Sequence, residues 1–330
     1  MNKLRLNLAC HISDRTRALR DGSIPIEGVE LNYVALHVAE IFWRMCQHQE
    51  FDASEMSLGA HVTFIGRGDS PFVGVPVFPS RVFRHSGIFI RTESGVRRPE
   101  DLRGRRIGVP EYAMTACVWM RAILHHDYGV PPQEVIWCTG GQETPGRKER
   151  VPLHLPPSIR IRPIPETETL NRALCEGGID ALFCAHPPSA FLAADPRVGR
   201  LFPDYRPVEE DYFRRTGIFP IMHTLVIRRD VYDKNPWLAQ SLLQAFRRAK
   251  EEVVEALSDP GWLVCTLPWS VAELEATRRF MGDDFWPYGV EPNRKTLETF
   301  CQYAFEQGLT PRRLALEELF APNTAEDWKL

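Results

Sequence analysis

Between residues 98 and 110 the chain reads Arg98-Pro99-Glu100-Asp101-Leu102-Arg103-Gly104-Arg105-Arg106-Ile107-Gly108-Val109-Pro110, the grammar of a short helix, a turn and a strand. The next residues, Pro110-Glu111-Tyr112-Ala113-Met114-Thr115, open a helix running to about Tyr128. Free N–H groups and a partial positive charge at such a helix start suit an anion. A second phrase, Leu174-Cys175-Glu176-Gly177-Gly178-Ile179-Asp180-Ala181, stops a helix over 167–176 at paired glycines and starts a strand over 179–184.

The alternation extends in both directions. Upstream, strands are expected over 4–9, 29–34 and 51–57, with a polar loop over 10–17, a turn at Asp21-Gly22 and a helix over 39–48 whose Ile41, Phe42 and Met45 fall at helical spacing. Strand-like runs follow at 72–78 and 86–91. Downstream come a strand over 135–138, an aperiodic arm over 142–165 rich in Pro, Arg and Glu, and a polar stretch before a strand over 223–228. Helices over 238–256, 271–280 and 294–307 close the chain, and no repeat of solenoid period appears. Strands alternating with helices imply an α/β protein with mainly parallel sheets. The expected organisation is two lobes joined by two chain crossings, near 85–92 and 222–228. Residues 1–86 with 225–330 form the first lobe, completed by the C-terminal helices, and 87–224 the second. Ligands in such folds sit at the carboxyl ends of strands, here in the cleft between lobes.

Composition excludes several classes of function. The 330 residues carry a formal charge of −3, so no global basic field advertises nucleic acid or an anionic membrane. Six of the 40 basic residues are lysine and the rest arginine. Codon usage in a GC-rich genome explains that bias, and so does recognition of carboxylates, which guanidinium grips bidentately. The eight cysteines form no CxxC pair and no zinc-finger spacing, fitting a reducing compartment. No apolar run approaches a membrane span, and Met1-Asn2-Lys3-Leu4-Arg5-Leu6-Asn7-Leu8-Ala9-Cys10 lacks the apolar stretch of a signal peptide. The expectation is a cytoplasmic protein.

The phrases over 98–110 and 174–181 resemble the type II periplasmic-binding-protein fold. A narrower resemblance, over nearly the whole chain, is to the 4,5-dihydroxyphthalate decarboxylase family. It rests on Asp14-Arg15-Thr16-Arg17-Ala18-Leu19, Ser54-Glu55-Met56-Ser57, Pro76-Val77-Phe78-Pro79-Ser80-Arg81-Val82-Phe83-Arg84-His85-Ser86 and Gly217-Ile218-Phe219-Pro220-Ile221-Met222-His223. Phe285-Trp286-Pro287-Tyr288-Gly289 and Glu317-Glu318-Leu319-Phe320-Ala321-Pro322 add to it. The resemblance implies a cytoplasmic, oligomeric enzyme of aromatic degradation that turns 4,5-dihydroxyphthalate into protocatechuate without oxidation. The alternatives are a solute-binding or ligand-sensing protein for an aromatic acid, and a decarboxylase for another hydroxylated aromatic acid.

That chemistry needs the carboxylates held, a ring hydroxyl deprotonated and a proton delivered to the ring carbon that loses CO₂. Arg15, Arg81 and Arg84 fall in segments expected at the cleft and are candidate carboxylate clamps, though each is as readily an ion-pairing surface residue. His223 and His85 occupy corresponding places in the two crossings and are candidate bases or acids, against the alternative of satisfied core histidines. Glu55 ends a strand, as an acid of raised pKa or the partner of an arginine. Glu111, Tyr112 and Thr115 stand at the helix start as substrate-binding candidates, Glu111 alternatively as a charge stabilising that start. His186 joins them by analogy. No cofactor and no metal are expected, although His85, His223, Glu55 and Glu111 could converge on a divalent ion. Adjacent His125 and His126 point about 100° apart on a helix and are not expected to chelate. Gly140-Gly141 and Gly177-Gly178 match no phosphate loop, no Ser nucleophile elbow is present, and the dispersed aromatics make no stacking platform. A small aromatic dicarboxylate is the expected partner. A homo-oligomer is expected through the arm over 142–165 and exposed Trp262, Trp269 and Trp286.

Overall fold

The computed structural model describes residues 3–324; Met1, Asn2 and residues 325–330 lie outside the described residues. The chain opens with β1 (Leu4–Cys10), α1 (Asp14–Arg20), β2 (Val29–Ala35), α2 (Val38–His48), β3 (Ala53–Ser57), α3 (Leu58–Arg67) and β4 (Phe72–Val75). It then crosses into β5 (Ile88–Arg91), β6 (Arg106–Val109), α4 (Thr115–Tyr128), β7 (Ile136–Thr139), β8 (Arg160–Pro163), α5 (Leu170–Glu176), β9 (Ala181–Phe183), α6 (Ser189–Leu192), β10 (Val198–Arg200) and α7 (Tyr205–Thr216). It returns as β11 (His223–Arg228) and ends with α8 (Arg229–Lys234), α9 (Leu238–Leu257), α10 (Ser270–Met281) and α11 (Arg294–Glu306).

Two sheets result, ordered β2-β1-β3-β11-β4 and β10-β5-β9-β6-β7-β8. Each is parallel apart from one strand. β11 pairs antiparallel with both β3 and β4, and β5 antiparallel with both β9 and β10. The reversed strands are the two that follow a crossing. The crossings themselves lie side by side, with Arg81 bridging antiparallel to Ile221, Val82 N–H donating to Pro220 O at 3.1 Å and Met222 N–H to Ser80 O at 2.8 Å.

Burial explains where sequence periodicity succeeds and where it is silent. α2 keeps one apolar face, Ile41, Phe42 and Met45, and stands where expected. α3 is buried on all sides from Leu58 to Phe64, so no polar face marks it as a helix. α7 buries only Tyr212, so its polar sequence hid it. α5 stops at Gly177, whose φ of 82° is the left-handed conformation that glycine adopts without penalty. The aperiodic arm contributes β8 to the edge of the second sheet. Trp262 and Trp269 are exposed, but Trp286 is half-buried: its indole N–H donates to Phe78 O at 2.9 Å and Arg15 stacks on its ring.

α4 ties the two sheets together. Its residues from Thr115 to Leu124 are all buried. Trp119 donates to Ile221 O in the second crossing at 2.9 Å. Arg121, wholly buried, lies over the Tyr112 ring at 3.8 Å and donates to Gln307 Oε1 and to Tyr112 O, each at 2.6 Å. Gln307 in turn donates to Val118 O at 2.9 Å, fixing the end of α11 to α4.

Gly74 in β4 allows the C-terminal segment to cross close by. A Cβ there would stand 2.3 Å from Leu319 O and 2.7 Å from His61 Nε2. Gly74→Ala should therefore destabilise by about 1–3 kcal/mol, the usual range for overpacking. A lower urea midpoint with an unchanged m-value would show it, and an unchanged midpoint would mean that the segment moves aside freely.

Candidate active site

A cavity of about 410 Å³ lies between the sheets, lined by residues that follow β1, β2 and β3 on one side and β6, β7 and β9 on the other. These are the carboxyl ends of parallel strands, where α/β folds bind ligands. The size suits a small molecule.

Glu55 and His223 form its centre. In the β3–β11 register His223 faces Ser57 and Leu225 faces Glu55, so Glu55 and His223 are diagonal neighbours on one sheet face. Glu55 Oε1 is 2.6 Å from His223 Nδ1, while Oε2 accepts the His11 amide at 3.0 Å and the Cys10 thiol at 3.4 Å. Burial alone would raise the Glu55 carboxyl. The bond and charge of His223, with the His11 amide and the Cys10 thiol, outweigh it and hold the group below the usual carboxylate range. The expectation of an acid of raised pKa, or of an arginine's partner, is thus corrected: Glu55 is the anionic partner of an imidazole. A carboxylate at Nδ1 fixes the tautomer and leaves Nε2 for the cavity.

Cations dominate the wall. Arg15, Arg84, Arg147 and Arg150 line the cavity against two carboxylates, Glu55 and Glu111. Glu111, buried, takes Arg147 Nε at 2.7 Å and Arg150 Nε at 2.9 Å, so the two arm arginines share one counter-charge. Arg15 is paired with exposed Asp14 at 2.6 Å and braced on Pro79 O. Arg84 differs from these three. It is buried, donates only to Met222 Sδ at 2.9 Å and Ala185 O at 3.4 Å, and has no carboxylate partner among the described residues. Burial pulls it down to about 10, which leaves it charged at neutral pH.

The helix start behaves as expected only in part. α4 has no side-chain cap, so its first-turn N–H groups face the cavity region with Thr115 and Ala116. The Thr115 hydroxyl is already engaged, 2.8 Å from Ser57 Oγ and accepting the Gly59 amide at 2.9 Å. His186 lines the cavity beside His37, ring centroids 6.2 Å apart. Burial, followed by His37 and nearby cations, lowers its pKa.

Three expected residues stand elsewhere. Arg81 is buried outside the lining, donating to Phe219 O at 3.2 Å, Pro287 O at 2.8 Å and Asn293 Oδ1, and it pins the C-terminal segment to the crossing. His85 is packed between Phe202 and Tyr212, and neither of its ring nitrogens has a hydrogen-bond partner, the Glu209 carboxylate lying 3.9 Å from Nδ1. Burial pulls it down to about 4, so it is neutral at pH 7 and directed away from the cavity lining. The Tyr112 hydroxyl donates to Gln307 O at 3.1 Å, beneath Arg121. His85 and Arg81 belong to a segment that lines the cavity with Pro79, Ser80, Val82 and Arg84, so that beyond Ser80 only alternate residues reach it.

Sequence reasoning missed His11, His37, Gln142, Arg147 and Arg150. His11 directly follows β1 and His37 lies two residues beyond β2, so the strand-end rule would have found them. The arm arginines had only their density, in Arg147-Lys148-Glu149-Arg150, as a signal. Among the described residues, the one His/Cys/Asp/Glu group with metal-ligand spacing is His125, His126 and Glu306, outside this lining.

Fold and site define a periplasmic-binding-protein-like α/β protein with a cation-rich cavity and a carboxylate-held imidazole. Among solved structures it is similar to the periplasmic aliphatic sulphonate binding protein SsuA of Escherichia coli, with a TM-score of 0.53, 13% identity and coverage of 98% of this chain and 99% of that one. SsuA of Xanthomonas axonopodis also gives 0.53, at 14% identity and 98% coverage of each chain. These likenesses concern the fold alone. No family model matches the chain. It is 39% identical over 330 residues, all of both chains, to 4,5-dihydroxyphthalate decarboxylase of Comamonas testosteroni. It is 41% identical over 214 residues, 65% of this chain and 83% of the other, to the Pseudomonas putida protein of the same name. The chain belongs to the 4,5-dihydroxyphthalate decarboxylase family.

Glu149 gives the arm a pH dependence. Burial pushes its carboxyl up to about 7 despite the Tyr112 amide, with Glu111 adding to the rise. The native state therefore holds more protons than the unfolded chain between 4.5 and about 7. The stabilisation is complete below that window and lost as pH rises through it. Glu149→Gln should flatten this slope, read as the wild-type minus variant difference in denaturation free energy across the window. A difference that does not change with pH would show that the group titrates normally.

Proposed function

We propose that the chain decarboxylates 4,5-dihydroxyphthalate to protocatechuate. The observation that carries this reading is full-length 39% identity to the Comamonas testosteroni enzyme. The cavity supports it with four guanidiniums against two carboxylates, a balance that favours a dianion.

In the proposed reaction Arg84 and the first turn of α4 hold one carboxylate, and Arg15 with the arm arginines holds the other. His223 Nε2 takes the proton of the ring hydroxyl para to the departing group, and Glu55 stabilises the imidazolium that forms. Electron density from the phenolate lets the ring carbon accept a proton. The carbon–carbon bond then breaks, its pair restores the aromatic ring as the phenolate, CO₂ leaves, and the His223 imidazolium returns its proton to the phenolate oxygen. His37 and His186 are the imidazoles proposed to deliver the ring proton. The ring itself holds the electrons, so the step needs no electron sink beyond the substrate. Glu55 acts through His223 and is a positioning residue.

We take residues 1–86 with 225–330 and residues 87–224 as the two lobes, each containing one sheet. Cytoplasmic residence is supported by eight cysteines that remain free thiols; no helix among the described residues is long and apolar enough to cross a membrane. Self-association is supported by the exposed Trp262 and Trp269.

The deciding experiment incubates purified protein with 4,5-dihydroxyphthalate and follows CO₂ release and the ultraviolet spectrum. Stoichiometric CO₂ and protocatechuate are expected; binding without turnover would move the chain to the solute-binding reading. His223→Ala should lower kcat by about 10²–10⁴-fold, the usual span for a lost general base, with an unchanged circular dichroism spectrum. A wild-type kcat would remove His223 from the mechanism. Arg84→Leu should chiefly raise KM if the buried guanidinium holds a carboxylate that stays, and an unchanged KM would assign Arg84 to structure.

A further inference from the structure

The C-terminal turn of α4 carries a second cluster of ligating side chains. His125 and His126 are neighbours there, and Glu306 reaches them from the last residue of α11. His126 Nε2 is 2.7 Å from Glu306 Oε2, His125 Nδ1 is 4.0 Å from the same oxygen, and all three ligand atoms lie within 4.8 Å of one another. Adjacency on one helix was expected to keep the imidazoles from chelating. Their ring centroids are instead 4.4 Å apart, and a second helix provides the oxygen between them.

We infer that His125, His126 and Glu306 form a binding site for a divalent ion of the zinc class, distinct from the cavity. Two imidazole nitrogens and one carboxylate oxygen are a donor set for borderline ions such as Zn²⁺, whereas Mg²⁺ and Ca²⁺ prefer all-oxygen surroundings. A tetrahedral ion with bonds of about 2.0–2.1 Å needs donors roughly 3.3 Å apart. The observed 2.7 and 4.0 Å from the imidazoles to the carboxylate bracket that spacing, and with all three donors within 4.8 Å the gaps left are ones that side-chain rotation can close. The surroundings prepare the ligands. Gln302 Nε2 donates to Glu306 Oε1 at 2.8 Å, leaving Oε2 for the ion, and Tyr303 stacks on His126 at 4.7 Å with an interplanar angle of 28°. The carboxyl end of the 14-residue α4 adds the partial negative charge that favours a cation. The three side chains are between 25% and 37% exposed, so water can enter and complete the shell.

The position gives the ion a structural task. His125 is ten residues along α4 from Thr115, about 15 Å at helical rise, so the ion stands well away from the reacting groups. It would clamp the far end of α4 to α11, the same two helices that Arg121 and Gln307 join nearer the middle of α4.

The test titrates Zn²⁺ into chelator-treated full-length protein by calorimetry, with Co²⁺ absorption as a report on coordination. One saturable site is expected, with a tetrahedral Co²⁺ spectrum and a Tm that rises with Zn²⁺. His126→Ala and Glu306→Gln should each weaken Zn²⁺ binding at least tenfold and abolish the Tm rise. His37→Ala, in the cavity, should leave both intact. Retained binding in His126→Ala, loss in His37→Ala, or no saturable binding up to about 100 μM Zn²⁺, well above the dissociation constants of structural zinc sites, would overturn the assignment. Glu306→Gln keeps the shape of the side chain, so a well-folded variant that still binds Zn²⁺ with full affinity would also overturn it.

Discussion

A carboxylate cut off from water has to be balanced where it stands, because an unpaired buried charge costs several kcal/mol. Glu55 is 3% exposed, and two neighbouring strands satisfy it: the end of β1 through the Cys10 thiol and the His11 amide, and the start of β11 through His223. This meeting follows from topology. β1 and β3 run parallel toward the cavity, so their last residues lie at its edge. β11 returns from the second unit and therefore enters the sheet at that same edge, running the other way. Its first residue, His223, is consequently placed opposite Ser57, the last residue of β3, and diagonal to Glu55. A strand that returns antiparallel between β3 and β4 thus brings its first residue to the cavity edge, and in this sequence that residue is a histidine.

The first crossing does not give the same result, and the reason is local. His85 begins a single 3₁₀ turn ahead of β5, and that turn directs its ring between Phe202 and Tyr212. Arg81 and Arg84 show a similar division. Arg81 bridges to Ile221 and spends its donors on main-chain carbonyls and Asn293, whereas Arg84, three residues on, keeps an unpaired guanidinium at the cavity wall. Pairing between the crossings thus decides which side chains face the ligand. The sequence resemblance marks the whole segment 76–86 and cannot separate one side of it from the other.

The legible part of the molecule was the part governed by periodicity and punctuation. Strand alternation, the amphipathic face of α2 and the stop at Gly177 were readable because each reports a one-sided contact or a required backbone angle. α3 was not, since burial on every side removes the polar stripe, and neither was α7, since burial of one tyrosine leaves almost no apolar stripe. Of the candidate site, Glu55, His223, Arg15, Arg84, Glu111, Thr115 and His186 reach the cavity lining. The arm arginines were hidden in a segment with no period at all. Its shape is set by Glu111 and by the Glu149 carboxyl on the Tyr112 and Ala113 amides, contacts at distances along the chain that no local pattern encodes.

Guanidiniums and a carboxylate-bound imidazole in one cavity wall raise the question of what separates holding an anion from transforming one. For holding, the guanidiniums and the open helix start suffice, and every carboxylate in the wall opposes an incoming dianion. Glu111 avoids that cost by being spent on Arg147 and Arg150. Glu55 is not spent on an arginine. It sits beneath His223, 2.6 Å from Nδ1, where its charge works against the binding of an anionic ligand. In a site built only to bind, an apolar residue there would be the better choice. A buried anion kept opposite the guanidiniums, bonded to an imidazole and not to an arginine, is therefore a feature that anion binding alone does not account for.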